Sequence, residues 1–272
     1  MTDMGQRASL TNLSYGTMTY ECPDCGARVA PISVKVLGRT RLIKAVCECE
    51  QARWEEEARQ MREAEQRRQI ERLFSVAELG PRFKDCTFAN WQPRPGAVQA
   101  YKAALDYTEQ HRSYLANGRG LILFGPPGNG KSHLAAAIVN ALIGQGVSCV
   151  FRTVPSLLKT IQATWDEDIG VTEHGLIQAL ISADLVVLDD AGAEKWSEWS
   201  EATLYYVIDE RYRWKRPVIV TSNCSLDELE ARVGARAFDR LIETCVLVEN
   251  RATSYRRETA RKRLKEVVSD GM

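Results

Sequence analysis

The sequence predicts an α/β protein in which a parallel five-stranded sheet with helices on both faces follows a small cysteine-rich module and a charged linker helix. Three observations carry that expectation. The stretch Leu121 to Leu134, LILFGPPGNGKSHL, runs from an apolar strand through a turn of glycines and prolines into an alanine-rich helix. Downstream, apolar runs alternate with helical stretches and end in polar residues, as expected of strands covered by crossover helices. Near the N-terminus two close cysteine pairs, Cys22 with Cys25 and Cys47 with Cys49, flank a segment that reads as a hairpin.

Composition bounds the answer. At 272 residues and 44% hydrophobic content the chain can build one large core plus a small appendage. Lys+Arg and Asp+Glu balance at 36 each, so nucleic acid would have to be held by local basic patches rather than bulk charge. No run approaches the ~18 apolar residues of a membrane span. Met1 to Leu10 lacks the apolar stretch of a signal peptide, so no membrane role and a cytoplasmic location are expected. Eight cysteines kept reduced there point to metal before disulfide.

In chain order, the first twenty residues are polar and carry no period. Tyr20-Glu21-Cys22-Pro23-Asp24-Cys25-Gly26 is a metal-knuckle pattern, and strands over Ile32–Val36 and Leu42–Val46 around Gly38 would bring Cys47 and Cys49 beside it. Four thiolates suit Zn²⁺ in a ribbon-like module too small to fold on apolar burial alone. The one-residue spacer of Cys47 and Cys49 is the weaker half of the pattern; buried or redox-active thiols are the alternative. Gln51 to Phe74 is rich in Glu, Arg, Gln and Ala without Pro or Gly, which predicts a linker helix that is either solvated or docked on a partner. The expected division is a module over 1–50, a linker over 51–78 and a large domain over 79–272, with a first helix over Tyr101–Leu115.

Gly125-Pro126-Pro127-Gly128-Asn129-Gly130-Lys131-Ser132 fills the G-x-x-x-x-G-K-[ST] pattern of a phosphate-binding loop. It lies between a strand at Leu121–Phe124 and a helix at His133–Ile143, where backbone N–H groups and the helix N-terminus attract anions. Lys131 is expected on the β- and γ-phosphates of ATP and Ser132 on Mg²⁺. Further strands are expected over Ser148–Thr153, Ala183–Leu188, Pro217–Thr221 and Cys245–Val248. The third ends in Asp189-Asp190-Ala191-Gly192-Ala193-Glu194, at the sheet edge where ligands bind. Asp189 is expected on Mg²⁺ through water, Asp190 on the attacking water with Glu194 as a second candidate, and Asn223 on the γ-phosphate or its water.

From about Leu79 onward the chain resembles the AAA+ ATPase domain of the bacterial replicative helicase loaders, the DnaC/DnaI family. The resemblance rests on Phe83-x-x-Cys86-x-Phe88, GPPGNGKSHLAAAI, LVVLDDAGAE, TSN at 221–223, Ala235 to Leu241 (ARAFDRL) and Ser254-Tyr255-Arg256. A cysteine module ahead of that domain resembles the DnaI-like branch. The resemblance implies a five-stranded ATPase domain with a short helical lid, and a nucleotide pocket that Phe83, Phe88 and His133 help to line. It implies sensor roles for Asn223 and Arg256, and an arginine finger at Arg240, with Arg236 as rival, given to a neighbouring copy's ATP. It also implies single-stranded DNA near Lys159, Trp165, Lys195 and Trp199, with Trp196 beside them.

The function expected is an ATP-dependent loader of the hexameric replicative helicase, self-associating through its ATP sites and hydrolysing ATP slowly unless stimulated by assembly or single-stranded DNA. A transposition-regulating ATPase of the IstB type shares the core motifs, though its members usually lack a zinc module. A non-hydrolysing ATP-bound adaptor is the alternative from another class. No Asn-Lys-x-Asp guanine motif is present.

Overall fold

Two short antiparallel hairpins open the computed structural model, which describes residues 19–36, 38–43, 45–73, 79–165, 172–193 and 197–269. Strand β1 (Tyr20–Glu21) pairs with β2 (Arg28–Val29), and β3 (Ile32–Val36) with β4 (Arg39–Ile43). The pairing of Val36 with Arg39 leaves a two-residue turn containing Gly38 at φ 77°. That tight turn starts β4 at once, which moves the strand expected over Leu42–Val46 back to Arg39–Ile43.

Helix α1 (Glu48–Leu73) begins before the Gln51 expected from composition, so Cys49 falls in its first turn. Trp54 and Met61 on it are exposed. Ile70, by contrast, is buried in the core of the large unit, so the linker is not solvated throughout. The chain divides into two compact units between Ala64 and Glu65. Among the described residues no helix is long and apolar enough to cross a membrane.

The large unit continues with α2 (Gly80–Lys84), α3 (Val98–Glu109), α4 (His111–Ala116), β5 (Gly120–Phe124), α5 (Lys131–Ile143), β6 (Cys149–Thr153), α6 (Val154–Ala163), α7 (Glu173–Ser182), β7 (Leu185–Ala191), α8 (Glu198–Arg213), β8 (Val218–Ser222), α9 (Leu226–Val233), α10 (Ala235–Thr244), β9 (Cys245–Glu249) and α11 (Tyr255–Ser269). The single helix expected over Tyr101–Leu115 is two, because the chain turns at Gln110 and buries His111, whose Nδ1 lies 3.0 Å from the Thr108 carbonyl oxygen. Helix α6 stops at Ala163, short of the Trp165 expected.

The five strands are all parallel, in the order β6-β7-β8-β5-β9. Successive side chains alternate between two cores, as the two-residue strand period requires. Leu121, Leu123, Phe151, Val187 and Ile219 pack with α3 and α5 on one face, whereas Ile122, Val150, Val186, Leu188 and Val220 pack with α6 to α10 on the other. Arg211 is fully buried there and donates to the carbonyls of Leu180, Ile181 and Ala183 at the end of α7 and to that of Pro217. It thereby satisfies carbonyls that a helix terminus leaves without intrahelical partners.

Strand β7 runs on to Ala191 rather than stopping at Leu188, and its register against β8 shifts between Leu188 and Ala191. The bulge bends the strand end that carries Asp189 and Asp190. β5, β7 and β8 thus deliver the loop, the two carboxylates and Asn223 to one edge.

Candidate nucleotide site

Gly125 leaves β5 at φ 129°, and a Cβ there would stand 2.4 Å from the Asn250 carbonyl oxygen, so only glycine fits the approach. Gly130 begins α5 at φ 99°, with Trp91 pressed where its Cβ would be, 2.5 Å away. The loop is tied from outside by a buried reciprocal pair. Asn129 Nδ2 donates to the Asn250 carbonyl at 2.5 Å, and Asn250 Nδ2 donates to the Asn129 carbonyl at 3.2 Å. Arg94 adds bonds to the Asn129 carbonyl at 2.7 Å and to the Thr253 carbonyl at 2.5 Å.

The Lys131 ammonium is buried and has four acceptors within reach. They are the carbonyls of Gly125 (2.8 Å) and Pro126 (2.9 Å), Asn129 Oδ1 (3.1 Å) and Asn223 Oδ1 (2.9 Å). Burial pulls its pKa down to about 8, against the opposing attraction of Asp190 and Asp189. A buried cation compensated mostly by neutral dipoles favours the arrival of an anion.

Asp189 is buried, and that burial pushes its carboxyl up, while hydrogen bonds from Thr221 and Ser132 pull it down. Thr221 Oγ1 donates to Asp189 Oδ1 at 2.6 Å and accepts from the Asp190 N–H at 3.0 Å. Asp190 has φ 55°, uncommon for a residue with a side chain. Its Oδ1 accepts from Asn223 Nδ2 at 2.5 Å, so one amide bridges Lys131 and Asp190. Backbone held in a sparsely populated region beside such a bridge is a mark of functional sites.

Lys131, Ser132, Asp189, Asp190 and Asn223 line a cleft of about 580 Å³ together with Phe83, Trp91, Arg94, His133, Tyr255 and Arg256. His133 Nε2 donates to the Thr87 carbonyl at 2.9 Å. Phe88 does not line it; its ring packs edge-on against Tyr101 at 5.9 Å. Ser132 and Asp189 stand together and fit a Mg²⁺ site through hard oxygen donors. Glu194, Lys195 and Trp196 lie outside the described residues, as do the first eighteen.

Trp91, Arg94 and Asn250 were missed from the sequence, because they reach the loop from positions remote in the chain. Thr221 was named only as the first residue of the TSN motif, without its role of joining Asp189 to the Asp190 backbone.

Arg240 lies away from this cleft. On α10, Ala237, Phe238 and Leu241 face the core, while Arg236 is exposed and Arg240 half-exposed. Of the expected DNA-facing residues, Lys159 is exposed on α6. Trp165 is 54% exposed with its indole N–H on Glu173 at 2.7 Å, and Trp199 is half-buried, edge-on to Trp165 at 5.0 Å.

In the smaller unit the sulfurs of Cys22, Cys25, Cys47 and Cys49 all lie within 4.8 Å of one another. A tetrahedral thiolate site with bonds of about 2.3 Å sets its sulfurs roughly 3.8 Å apart, so the cluster fits Zn²⁺. The helix start explains the short spacer, because α1 turns Cys49 back until its sulfur is 3.1 Å from that of Cys47. Backbone N–H groups of Cys25 and Asp24 draw the Cys22 thiol down to about 7, whereas neighbouring thiols, Cys47 first, push Cys49 up. Arg53 on α1 pairs with Asp24 of the knuckle.

A parallel β6-β7-β8-β5-β9 sheet with this loop and strand-end aspartates defines an AAA+ P-loop ATPase fold. The family model of the IstB-like ATP binding protein matches residues 52–263, beginning beyond the cysteine module. The replicative helicase loader DnaC of Escherichia coli K12 is 30% identical over 174 residues, 64% of this chain and 69% of the relative. An uncharacterised protein of the same organism, YdaV, is 28% identical over 192 residues, 70% of this chain and 74% of its own. The chain belongs to the family of IstB-like ATP-binding proteins and to the DnaC/DnaI family of replicative helicase loaders. Solved structures share the fold: a DnaC helicase loader with TM-score 0.57 and 24% identity, covering 63% of this chain and all of that one, and a DnaI with TM-score 0.55 and 22% identity, covering 62% and 93%.

Proposed function

We propose that this chain is a cytoplasmic, ATP-dependent loader that engages a hexameric replicative DNA helicase and single-stranded DNA, with ATP binding and hydrolysis timing loading and release during initiation of replication. The observation that carries the reading is an assembled nucleotide cleft, bridged by Asn223, in a chain related to proteins named as helicase loaders.

In this reading the β- and γ-phosphates of ATP sit on Lys131 and the α5 N-terminus, with Phe83 near the base. Mg²⁺, held by Ser132 and Asp189, neutralises phosphate charge. Asp190 orients the attacking water, Glu194 remaining a second candidate for that role, and Asn223 steadies the γ-phosphate and that water chiefly in the transition state. Arg256 closes the site from α11. Arg240 serves the ATP of a neighbouring copy, so hydrolysis is slow until copies assemble. Exposed Lys159 and Trp165 carry the DNA-binding part, by charge and base stacking. The zinc module and linker grip the helicase.

A pull-down of the zinc-loaded chain with its cognate helicase, with and without ATP, tests this. Capture that changes with ATP, and loses that dependence in Lys131→Ala, is expected. No capture in either state overturns it. The family match also favours a transposition-regulating ATPase; capture of a transposase in place of the helicase would select that reading.

A further inference from the structure

Helices α8 and α10 carry a charged cluster outside the cleft. Arg240 Nε donates to Asp209 Oδ1 at 3.2 Å, and the guanidinium lies over the Tyr212 ring, 4.4 Å from its centroid. Asp209 is 6% exposed, and its other oxygen accepts from Arg213 Nη2 at 2.9 Å. Tyr212 is anchored in turn, its hydroxyl donating to Glu243 Oε1 at 2.9 Å.

Cohesion of these helices does not require the carboxylate. Leu204, Val207 and Ile208 of α8 share one apolar core with Ala237, Phe238 and Leu241 of α10. A buried charge among them adds desolvation cost rather than packing. What it does add is orientation. The contact through Nε fixes the side chain close to its root, and the ring fixes the guanidinium plane. The terminal amino groups, which make the forked bonds to phosphate, are not the nitrogens nearest the carboxylate.

We propose that Asp209 and Tyr212 are positioning residues, a cradle that holds Arg240 at a fixed angle for ATP bound by a neighbouring copy of this chain. The inference rests on the reading of Arg240 as a finger acting in trans. Preorganisation of this kind matters because the transition state is stabilised only by donors already in place.

The test is ATP turnover of single and mixed variants, with ATP affinity measured alongside. Asp209→Ala and Tyr212→Leu should each bind ATP as the parent does yet turn over roughly 10- to 100-fold more slowly. Asp209→Asn, which keeps an acceptor for Nε, should recover most of that loss. Mixing Asp209→Ala with Lys131→Ala copies should restore part of the turnover, since Lys131→Ala copies bring an intact, cradled Arg240 to their neighbours. Unchanged or faster turnover in both Asp209→Ala and Tyr212→Leu overturns the cradle, as does lost ATP affinity without restoration on mixing. If Asp209→Ala does not fold, Tyr212→Leu and Asp209→Asn decide. Full turnover of Arg240→Ala would instead overturn the finger; an inactive Arg240→Ala beside active cradle variants overturns the cradle alone.

Discussion

Replacing Asn223 by Ala separates binding from catalysis. Its Oδ1 is one of four acceptors around an ammonium with three hydrogens, so its loss still leaves Lys131 with Gly125, Pro126 and Asn129. ATP affinity should therefore change by less than about threefold, under 1 kcal/mol. The Nδ2 bond to Asp190 is different, because it orients the carboxylate proposed to hold the water. A hydrogen bond to a charged group contributes about 1.5–3 kcal/mol, and solvent access at this edge favours the lower end. Loss of about 1.5–2 kcal/mol in the transition state lowers kcat roughly 10- to 30-fold. Phosphate release at saturating ATP, with DNA and helicase present, gives kcat, and a fluorescent nucleotide gives affinity. A kcat within twofold of the parent, or an affinity falling as far as kcat, would refute the separation.

Lys131 is held near pKa 8 in the folded protein, below its ordinary 10.5, so the buried ammonium costs stability below pH 8. The unfolded chain binds more protons between these values, and stability without nucleotide should rise across pH 8–10.5, as thermal melts would show. ATP favours the protonated form, so affinity should weaken above about pH 8, by at most tenfold per unit, and the slope should vanish in Lys131→Arg; a flat profile in the parent would count against Lys131 as the phosphate ligand. Metal analysis should find one zinc per chain, lost in Cys22→Ser with Cys47→Ser while nucleotide binding survives, because the cluster and the cleft belong to different compact units. Gly130→Ala should abolish nucleotide binding, since its Cβ meets Trp91 at 2.5 Å at a backbone angle favouring glycine; normal affinity would show that Trp91 yields.

Much of the site was legible because its signals are local. The loop, the Asp189-Asp190 pair and Asn223 each follow an apolar run, and parallel strands place such residues at one edge. The cysteines were legible as ligands, yet not their arrangement: helix α1 starting at Glu48, a matter of where the chain leaves the hairpin, let a one-residue spacer close the cluster. Phe88 shows the limit of motif reading, since an aromatic that the Phe83-x-x-Cys86-x-Phe88 motif assigned to the pocket turned toward Tyr101 instead.

By itself the sequence determined the strand–loop–helix order, the alternation that fills two cores, and the residue types able to hold phosphate and metal, because backbone propensity and ligand chemistry act within a few residues. Only the tertiary structure decided that Asn250 and Arg94 brace the loop, that one amide joins Lys131 to Asp190, and that Arg240 rests on Asp209 and Tyr212. Those pairings join residues 28 to 121 positions apart, set by how helices and strands pack rather than by any local pattern.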